Sequence, residues 1–451
     1  MKVARFRRFR RFTRSGAAAS AVVLFSALCL ALGTAPASLA ASLPASLAAG
    51  APGRTHPGHP VSPPDGMSWR VYHRMMAQAP LDAAATRIQA LAARPGPAHR
   101  GFFETAVDDS RRVLTVYWHG PVPATVQRLI SRLRARVDPR VVQTRYSLAT
   151  LNRDVLRAIS SGSGVAGGYP LTDGSGIHLS VHAPSTRSAA SVASAMRSRL
   201  GIPVVATPTG PAVPQYCAVP KSHATLGPGS RCYDLENFWG GDVIQSPYVF
   251  CSGGFGVHNP AGGEYLMTAA HCAWNRSAYV NGISFHNGQD PAHWQGIGAI
   301  TDVPGEHDWA AIPAGAGDQI YYGPGIYSGD THATRTVAGQ HATSVGDSLC
   351  ESGSFGGLLC NFTVSALNYS YHQTGPSQTW TDLALATSGS GQWTMAGDSG
   401  GPWFSLDGST KVWAMGIHHG LLENAANQPV DEMFTPVTVA TSDSGLTVNT
   451  G

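Results

Sequence analysis

Charged side chains are scarce in this sequence of 451 residues: they make up 13% of it, and only three of them are lysines. Lysine is absent from residues 41–210, where 19 arginines accompany 8 acidic residues, whereas residues 211–451 have 5 basic and 19 acidic side chains. A basic part covalently joined to an acidic part is expected of two pieces that dock on one another. Nucleic-acid binding by the basic part is disfavoured, because its arginines lack interleaved aromatic residues and a recognition motif.

Long apolar runs are lacking as well, except for Ala17–Leu32 near the N-terminus. Lys2 and six arginines precede this run, and small residues at 35, 37, 40 and 41 follow it. This order is typical of a secretory signal, and the run is short for a membrane span. We therefore predict a signal peptide at residues 1–40, a secreted protein, and no membrane association after the signal is removed.

Metal-binding motifs are also missing, since neither CxxC nor HExxH spacing occurs among the 7 cysteines and 18 histidines. No metal and no cofactor is therefore predicted. With Cys29 discarded in the signal peptide, an even number of cysteines is left, which in an exported chain favours disulfides. The remaining cysteines are Cys217, Cys232, Cys251, Cys272, Cys350 and Cys360.

Two short strings indicate an activated serine: TAAHC at 268–272 and GDSGGP at 397–402. A serine hydroxyl becomes an effective nucleophile when a base lies within hydrogen-bond reach and a third group orients that base. We predict Ser399 as the nucleophile and His271 as the base. Asp308, at the start of the apolar run DWAAI, is preferred as the orienting acid over Asp302, since such a carboxylate is usually buried.

The string GDSGG also fits the G-x-S-x-G turn of α/β-hydrolases, so an esterase that uses the same serine is an alternative. That fold needs an acid and then a histidine after the serine. Asp407 with His418 or His419 would have to serve, and the chain to Gly451 leaves little room for the parallel strands that carry such partners. The esterase is therefore disfavoured.

The three strings, in the order His, Asp, Ser, resemble the chymotrypsin-type serine proteases, and within them the secreted bacterial streptogrisin and alpha-lytic protease group. GGDVI at 240–244 is similar to the mature start of that group, and FTPV at 434–437 to its terminal strand. The resemblance implies a mainly β fold for residues 238–451, with two antiparallel six-stranded β-barrels at about 238–327 and 328–451. It also implies an active-site cleft between them and an oxyanion hole made by the N–H groups of Gly397 and Ser399.

The resemblance further implies pairings and a substrate pocket. The disulfides would be Cys251 with Cys272, Cys350 with Cys360 and Cys217 with Cys232. Residues of the substrate site would be Trp393, Thr394, His418, His419 and Gly420. Trp393 stands where a trypsin-like enzyme carries an acid, which argues against Lys or Arg before the cleaved bond. Thr394 and His418 resemble the pocket of glutamyl endopeptidases, which suggests acidic specificity. Leu421, which replaces a pocket-opening Gly, and the acidic domain charge argue against it. Asp398 is expected to pair with a buried cation after maturation.

Residues 41–210 are predicted to be an α+β prosegment. After a linker at 50–66 comes a helix near Leu81–Ala93, and then residues 113–145 match residues 176–208 without a gap at an offset of 63. Each copy has the pattern strand, helix, strand, and the helix near Leu151–Ile159 connects them, so one small sheet with helices on a single side is expected. This layout resembles the prosegments of alpha-lytic-type proteases, which assist folding and then inhibit the enzyme. Residues 211–237 would be a disulfide-looped connector.

Together these features predict a secreted serine endopeptidase made as a zymogen. Its partners would be protein or peptide substrates and its own prosegment in cis, and the enzyme would be a monomer that binds no nucleic acid. Removal of the prosegment would cut the chain within 206–215 or near Asn237. A secreted pseudoprotease that binds peptides without cutting them is the alternative from a different class, although such proteins usually lose a triad member.

Overall fold

A computed structural model describes residues 67–182, 188–210, 212–214, 227–288, 294–374, 377–408 and 410–451. The predicted signal peptide, the linker and Cys217 lie outside these residues. All described residues belong to one compact unit.

Serine residues begin three of the helices, because the side chains of Ser68, Ser147 and Ser188 accept hydrogen bonds from first-turn N–H groups. The α-helices are α1 Trp69–Ala92, α2 Pro97–Gly101, α3 Ala124–Leu133, α4 Leu148–Ile159, α5 Ala189–Leu200 and α6 Val437–Ser444. The helix expected from Leu81 begins at Trp69 instead and contains Pro80. Among the described residues, no helix has the length and apolar content that a membrane crossing requires.

The strands are short before residue 357 and longer after it. In the first half they are β1 Phe102–Asp108, β2 Val113–Trp118, β3 Asp138–Gln143, β4 Val165–Pro170, β5 Ile177–His182, β6 Val204–Thr209 and β7 Ala212–Pro214. The next are β8 Phe238–Gly240, β9 Val243–Gln245, β10 Phe250–Ser252, β11 Gly256–His258, β12 Glu264–Thr268, β13 Ser284–Asn287, β14 Gln295–Ala299, β15 Ala310–Pro313 and β16 Ala316–Tyr321. The last are β17 Thr334–Gln340, β18 Ser348–Gly353, β19 Gly357–Thr374, β20 Ser377–Ser388, β21 Pro402–Asp407, β22 Lys411–Glu423, β23 Pro429–Pro436 and β24 Thr447–Val448.

The N-terminal part contains both predicted strand-helix-strand units, β2-α3-β3 and β5-α5-β6, each with its two strands parallel. The expectation of one small sheet is wrong: β1-β2-β3 form a separate sheet, and β4, β5 and β6 extend a larger one. The constant offset of 63 residues between the two copies is also not kept in the pairing of their strands. Val113 pairs with Asp138, 25 residues on, whereas Ile177 pairs with Val204, 27 residues on. The longer α5, with 12 residues against 10 in α3, accommodates the difference.

The C-terminal part is mainly β. Antiparallel pairs run from β19 through β18, β21, β22, β23 and β20 back to β19. A second set comprises the sheets β10-β9-β13-β14 and β15-β12-β11-β24. The bridge between Asp302 and Ala311 connects these two sheets. The last strand, β24, pairs with β11. It therefore belongs to the same sheet as β12, which leads into the TAAHC string.

The N-terminal part docks on the C-terminal part through strand pairing and side-chain hydrogen bonds, one of which Arg74 donates to Thr363. β4 pairs with β19, and the Val107 N–H donates to the Val345 carbonyl oxygen at 2.7 Å. Thr105 and Ser344 share a hydroxyl hydrogen bond of 2.7 Å. Among the described residues, each ion pair joins two residues on the same side of this interface. Among these residues, the opposite net charges of the two parts therefore do not form ion pairs across the interface.

Candidate active site

His271 lies on a 3-10 helix, Ala270–Ala273, that directly follows β12. The neighbouring Cys272 forms a disulfide with Cys251 of β10, which ties this turn to the strand beside it. The imidazole is fully buried. Because its helix is both short and cross-linked, the ring is held in one position relative to the underlying sheet.

Asp308 precedes β15 and lies directly beside His271. Its Oδ1 accepts the His271 backbone N–H at 2.8 Å, and its Oδ2 lies 2.7 Å from His271 Nδ1. Burial alone would raise the pKa of this carboxyl, but the adjacent imidazoles of His271 and His419 outweigh burial and hold the pKa well below its usual range. Asp302, the other candidate for this position, is exposed and lies in the bridge between β14 and β15.

Ser399 lies in a tight turn between Gly397 and Gly400, which have φ of 105° and 89°. A Cβ on Gly397 would lie 2.2 Å from Phe355 Cδ2, and one on Gly400 would lie 2.2 Å from Thr268 Oγ1. Glycine is therefore required at both positions for conformation and for space. The turn brings Ser399 Oγ to 2.7 Å from His271 Nε2. The structure thus joins Ser399, His271 and Asp308 in one hydrogen-bonded series.

His419 adds a second imidazole to the same carboxylate. Its Nδ1 lies 2.5 Å from Asp308 Oδ2, and its ring is 5.1 Å from the His271 ring, edge to face. Burial lowers the pKa of His419, although Asp308 opposes this effect. The imidazole is therefore neutral and donates through Nδ1–H, since Asp308 can only accept. Sequence reasoning placed His419 in the substrate site and missed this contact.

His418, the preceding residue, faces a different cluster of buried side chains. Its Nδ1 accepts the indole N–H of Trp403 at 3.2 Å, and its Nε2 lies 3.2 Å from Thr394 Oγ1. Thr394 also donates its hydroxyl to Glu432 Oε2 at 2.9 Å and its backbone N–H to Glu432 Oε1 at 2.8 Å. Sequence reasoning singled out His418 and Thr394 but missed Glu432 and Trp403.

Both ionisable groups of this cluster are shifted towards their neutral forms. Burial lowers the pKa of His418 well below its usual range, and the nearby His419 and His271 reinforce the shift. Burial also raises the pKa of Glu432 to about 8, against the hydrogen bonds that Thr394 donates. At neutral pH the cluster therefore carries no positive charge.

The other predicted pocket residues lie close to these. Trp393 is half-buried and directly precedes Thr394. Gly420 belongs to β22 and pairs with Pro214 of β7. The carbonyl oxygen of His419 lies 3.3 Å from Ser399 Oγ, so this stretch of β22 runs past the nucleophile.

Asp398 accepts hydrogen bonds from three backbone amides in the full chain. Its carboxylate accepts the backbone N–H groups of Phe355, Gly356 and Met395 at 2.9, 2.9 and 2.8 Å. Burial raises the pKa of Asp398, and these three donors oppose the rise. The buried guanidinium of Arg231 also opposes the rise in the pKa, and pairing of Asp398 with a cation after maturation stays a prediction. Asp398 anchors the turn before Ser399 to the loop between β18 and β19.

Among the described residues, His271, Asp308 and His419 have the ligand types of a metal site, with ligand atoms within 4.8 Å of one another. The same atoms already form the hydrogen bonds described above. A metal bound to His271 Nδ1 and Asp308 would replace the proton between them. The cluster can therefore serve proton transfer or metal binding, but not both together.

Two disulfides have the pairing that the resemblance implies. Cys251 is bonded to Cys272, and Cys350 to Cys360 across β18 and β19. Cys232 is buried, and its expected partner Cys217 lies outside the described residues, so the third pairing stays a prediction.

The chain matches no family model and no curated protein sequence. It is similar to several solved structures. Thermobifida fusca protease A is 25% identical, with a TM-score of 0.34, and Cellulomonas bogoriensis chymotrypsin is 29% identical, with a TM-score of 0.34; each match covers 47% of this chain and 98% of the other. A glutamic acid-specific serine protease is 25% identical over 47% of this chain and 100% of its own, with a TM-score of 0.35. Over just under half of its length, the chain is thus similar to solved structures of chymotrypsin-type proteases.

Proposed function

We propose that this protein is a serine endopeptidase that hydrolyses peptide bonds through an acyl-enzyme. The observation that carries the proposal is the series of contacts from Ser399 Oγ to His271 Nε2 and from His271 Nδ1 to Asp308, both at 2.7 Å and fully buried. Because Asp308 can only accept, His271 carries its proton on Nδ1 and offers Nε2 to the serine hydroxyl. This is the tautomer that a general base requires.

In the proposed reaction, Ser399 Oγ attacks the substrate carbonyl carbon while His271 Nε2 takes the hydroxyl proton. The C–N bond then breaks as His271 returns that proton to the leaving amine, and water repeats the sequence on the ester. Asp308 stays ionised throughout, which its lowered pKa favours. The N–H groups of Gly397 and Ser399 would stabilise the oxyanion, an effect typically of about 3–4 kcal/mol for one donor.

The strand pairings support two barrels around this site. β18 to β23 close on themselves, and the two sheets that contain β9 to β15 are bridged at Asp302 and Ala311. His271 and Asp308 come from the second of these sets and Ser399 from the first. We infer that the substrate cleft lies between two six-stranded barrels, the boundary that the triad spans. The antiparallel pairing also disfavours the α/β-hydrolase alternative.

Labelling with a serine-directed phosphonate tests the proposal. After its N-terminal part has been removed, the protein is expected to be labelled and to hydrolyse a denatured protein substrate, and the Ser399→Ala variant cut at the same place is expected to do neither. Ser405→Ala is a matched control, because Ser405 is a buried serine of β21 away from His271. Absence of labelling in a chain freed of its N-terminal part would instead favour the peptide-binding pseudoprotease.

Zymogen character is supported by β7, which lies antiparallel to β22 with Pro214 opposite Gly420 and Ala212 opposite Leu422. The chain before it follows the same course, since Gly210 N–H donates to the Glu423 carbonyl oxygen at 2.8 Å. A substrate backbone would add to this edge of β22 as an extra strand. The N-terminal part therefore blocks the edge that a substrate needs.

The direction of β7 supports a cut at the end of the range 206–215. From Ala212 to Pro214 the chain advances along β22 towards His419, whose carbonyl oxygen lies beside Ser399. Gln215 is the next residue in sequence, so a cut directly after it would separate β7 from the chain that follows. N-terminal sequencing of the secreted product is expected to give a start at Tyr216. A start near residue 238 would support the other predicted cut, and an active full-length product would rule out the zymogen.

Secretion is proposed from the sequence, and specificity for acidic residues is an alternative that the buried Glu432 disfavours. The two disulfides support an oxidising compartment. Acidic specificity would use His418 and Thr394, which the structure does bring together at 3.2 Å. The buried Glu432 on the same Thr394 is unfavourable for a second carboxylate. Peptides with Glu, Phe, Leu or Lys before the cleaved bond test this point, and no preference for Glu would refute it.

A further inference from the structure

The hydrogen bonds between Trp403, His418, Thr394 and Glu432 run in one direction only. An indole N–H can only donate, so His418 Nδ1 must accept from Trp403. A neutral imidazole has one donor and one acceptor nitrogen, and the low pKa of His418 keeps it neutral, so Nε2 carries the hydrogen. Nε2–H then donates to Thr394 Oγ1, and the Thr394 hydroxyl donates to Glu432 Oε2. The donor and acceptor roles thus determine the position of each hydrogen from the Trp403 indole to the Thr394 hydroxyl.

This direction determines what the cluster can offer to a ligand. The N–H of His418 is already engaged by Thr394, and the hydroxyl hydrogen of Thr394 is already engaged by Glu432. A carboxyl group has about four lone-pair positions, and the contacts from Thr394 use two of them. Glu432 therefore retains acceptor capacity, whereas the donors of His418 and Thr394 are committed.

The cluster lies where the side chain before the cleaved bond would enter. Thr394 is five residues before Ser399, and His418 directly precedes His419, whose carbonyl oxygen is 3.3 Å from Ser399 Oγ. The backbone N–H of Gly400 donates to the His418 carbonyl oxygen at 2.8 Å, which holds the turn of the nucleophile against this strand. These backbone contacts make the cluster a direct neighbour of the turn that contains Ser399.

We propose that Glu432 is a specificity-determining residue and that the pocket selects a neutral amide side chain, glutamine above glutamate, before the cleaved bond. The proposal rests on the serine protease function proposed above. An amide can both donate to and accept from the Glu432 carboxyl, whereas a carboxylate would lose its hydration in a buried site with no positive charge. Gln215, the residue proposed above as the last before the cut, has such a side chain.

The raised pKa of Glu432 adds a dependence on pH. Below about 8 the carboxyl is protonated, and it pairs with a neutral amide by donating one hydrogen bond and accepting another. Above that pH it is ionised and favours a cationic side chain. The ionisable groups that act on it are His418 on β22 and, further away, Asp398, Asp431 and Glu351. Only His418 among these is within 4.0 Å.

The test compares four peptides that differ only in having Gln, Glu, Leu or Lys before the cleaved bond. The full chain is allowed to process itself, and active sites are counted by phosphonate titration. At pH 7 we expect kcat/KM for Gln to exceed that for Glu at least tenfold, and the ratio of Lys to Gln to rise between pH 7 and 9. In Glu432→Gln, which supplies amide donors, the ratio of Gln to Glu is expected to fall at least tenfold.

Asp431→Asn is the matched control, because the adjacent Asp431 binds Ser365 and Thr387 rather than Thr394. Its ratio of Gln to Glu is expected to equal that of the unmodified chain. Equal or faster cleavage after Glu, or an unchanged ratio in Glu432→Gln, would overturn the proposal. Both results require hydrolysis and so would leave the protease function intact, whereas no hydrolysis and no titratable site would refute the function itself. Because a ratio of two substrates cancels the amount of folded enzyme, a poorly folding variant still gives a readable result.

Discussion

His307, the residue before Asp308, is predicted to make the stability of the fold depend on pH. Its Nε2 lies 3.0 Å from Asp382 Oδ2, and its Nδ1 contacts Asp443 Oδ2. The ring thereby connects the loop of the catalytic acid to β20 and α6. Burial alone would lower the pKa of His307, but the two carboxylates outweigh it and raise the pKa to about 9.

The sign of the effect follows from the ordinary pKa of 6.5. A pKa that is higher in the folded state means that the proton stabilises the fold. This contribution is complete below pH 6.5 and is lost as the pH rises through 9. A shift of this size corresponds to about 3 kcal/mol at 1.36 kcal/mol for each pH unit. Since the side chains of Asp382 and Asp443 are 37% and 31% exposed, solvent screening reduces our expectation to about 2 kcal/mol.

Urea denaturation of the inactive Ser399→Ala chain, with and without His307→Gln, measures this contribution. At pH 6 the His307→Gln change is expected to lower the free energy of unfolding by about 2 kcal/mol, and at pH 10 by close to zero. His332→Gln is the control, because His332 is exposed and contacts a backbone carbonyl oxygen. A cost of His307→Gln that is the same at both pH values, or larger at pH 10, would refute the reasoning.

Three further changes have defined outcomes. Asp308→Asn is expected to lower kcat by about 10⁴ in peptide hydrolysis, because an amide no longer enforces the tautomer of His271; a loss below tenfold would contradict the role of Asp308. His419→Ala is expected to lower kcat/KM about ten- to hundredfold, which corresponds to the loss of one hydrogen bond to a charged group. His419→Asn keeps a donor and is expected to lose less activity. An unchanged rate in His419→Ala would show that the contact is only structural. Replacing Cys350 and Cys360 by serine is expected to lower the free energy of unfolding by about 2.5 kcal/mol, measured by urea denaturation, with activity per folded molecule retained.

The members of the proposed triad could be predicted because each lies in a local string whose residue types suit the task proposed for it. Asp308 could be preferred over Asp302 from the apolar run that follows it, and the structure brings Asp308 to His271. The second donor on Asp308 was not predicted, although a signal for it exists. Adjacent residues of a strand point to opposite faces, so His418 and His419 could not both line one pocket. One of them had to face another part of the site, and His419 faces the triad.

The contacts of Glu432 and the arrangement of the sheets could not be predicted from the sequence, for a different reason. A lone glutamate in a strand usually faces solvent, and nothing near it in sequence shows that Thr394, 38 residues earlier, donates to it twice. Likewise, the predicted single sheet of the N-terminal part fails because β4 pairs with β19, where Gly168 meets Ser370. Residues so far apart in sequence come together only in the folded tertiary structure. Neither the hydrophobic periodicity nor the composition of the sequence indicates such pairs.

The charge division of the chain is informative about association but not about the contacts themselves. Opposite net charges on the two parts attract at long range and favour their encounter. At the buried interface, however, a charged pair would lose its hydration, and the energy of pairing often only offsets that loss. The contacts there include neutral pairs, such as Thr105 with Ser344 and the Val107 N–H with Val345, and the charged Arg74 donates across the interface to the neutral Thr363 hydroxyl. Net charge therefore brings the parts together, and hydrogen-bonded strands determine the register in which β7 reaches the active site.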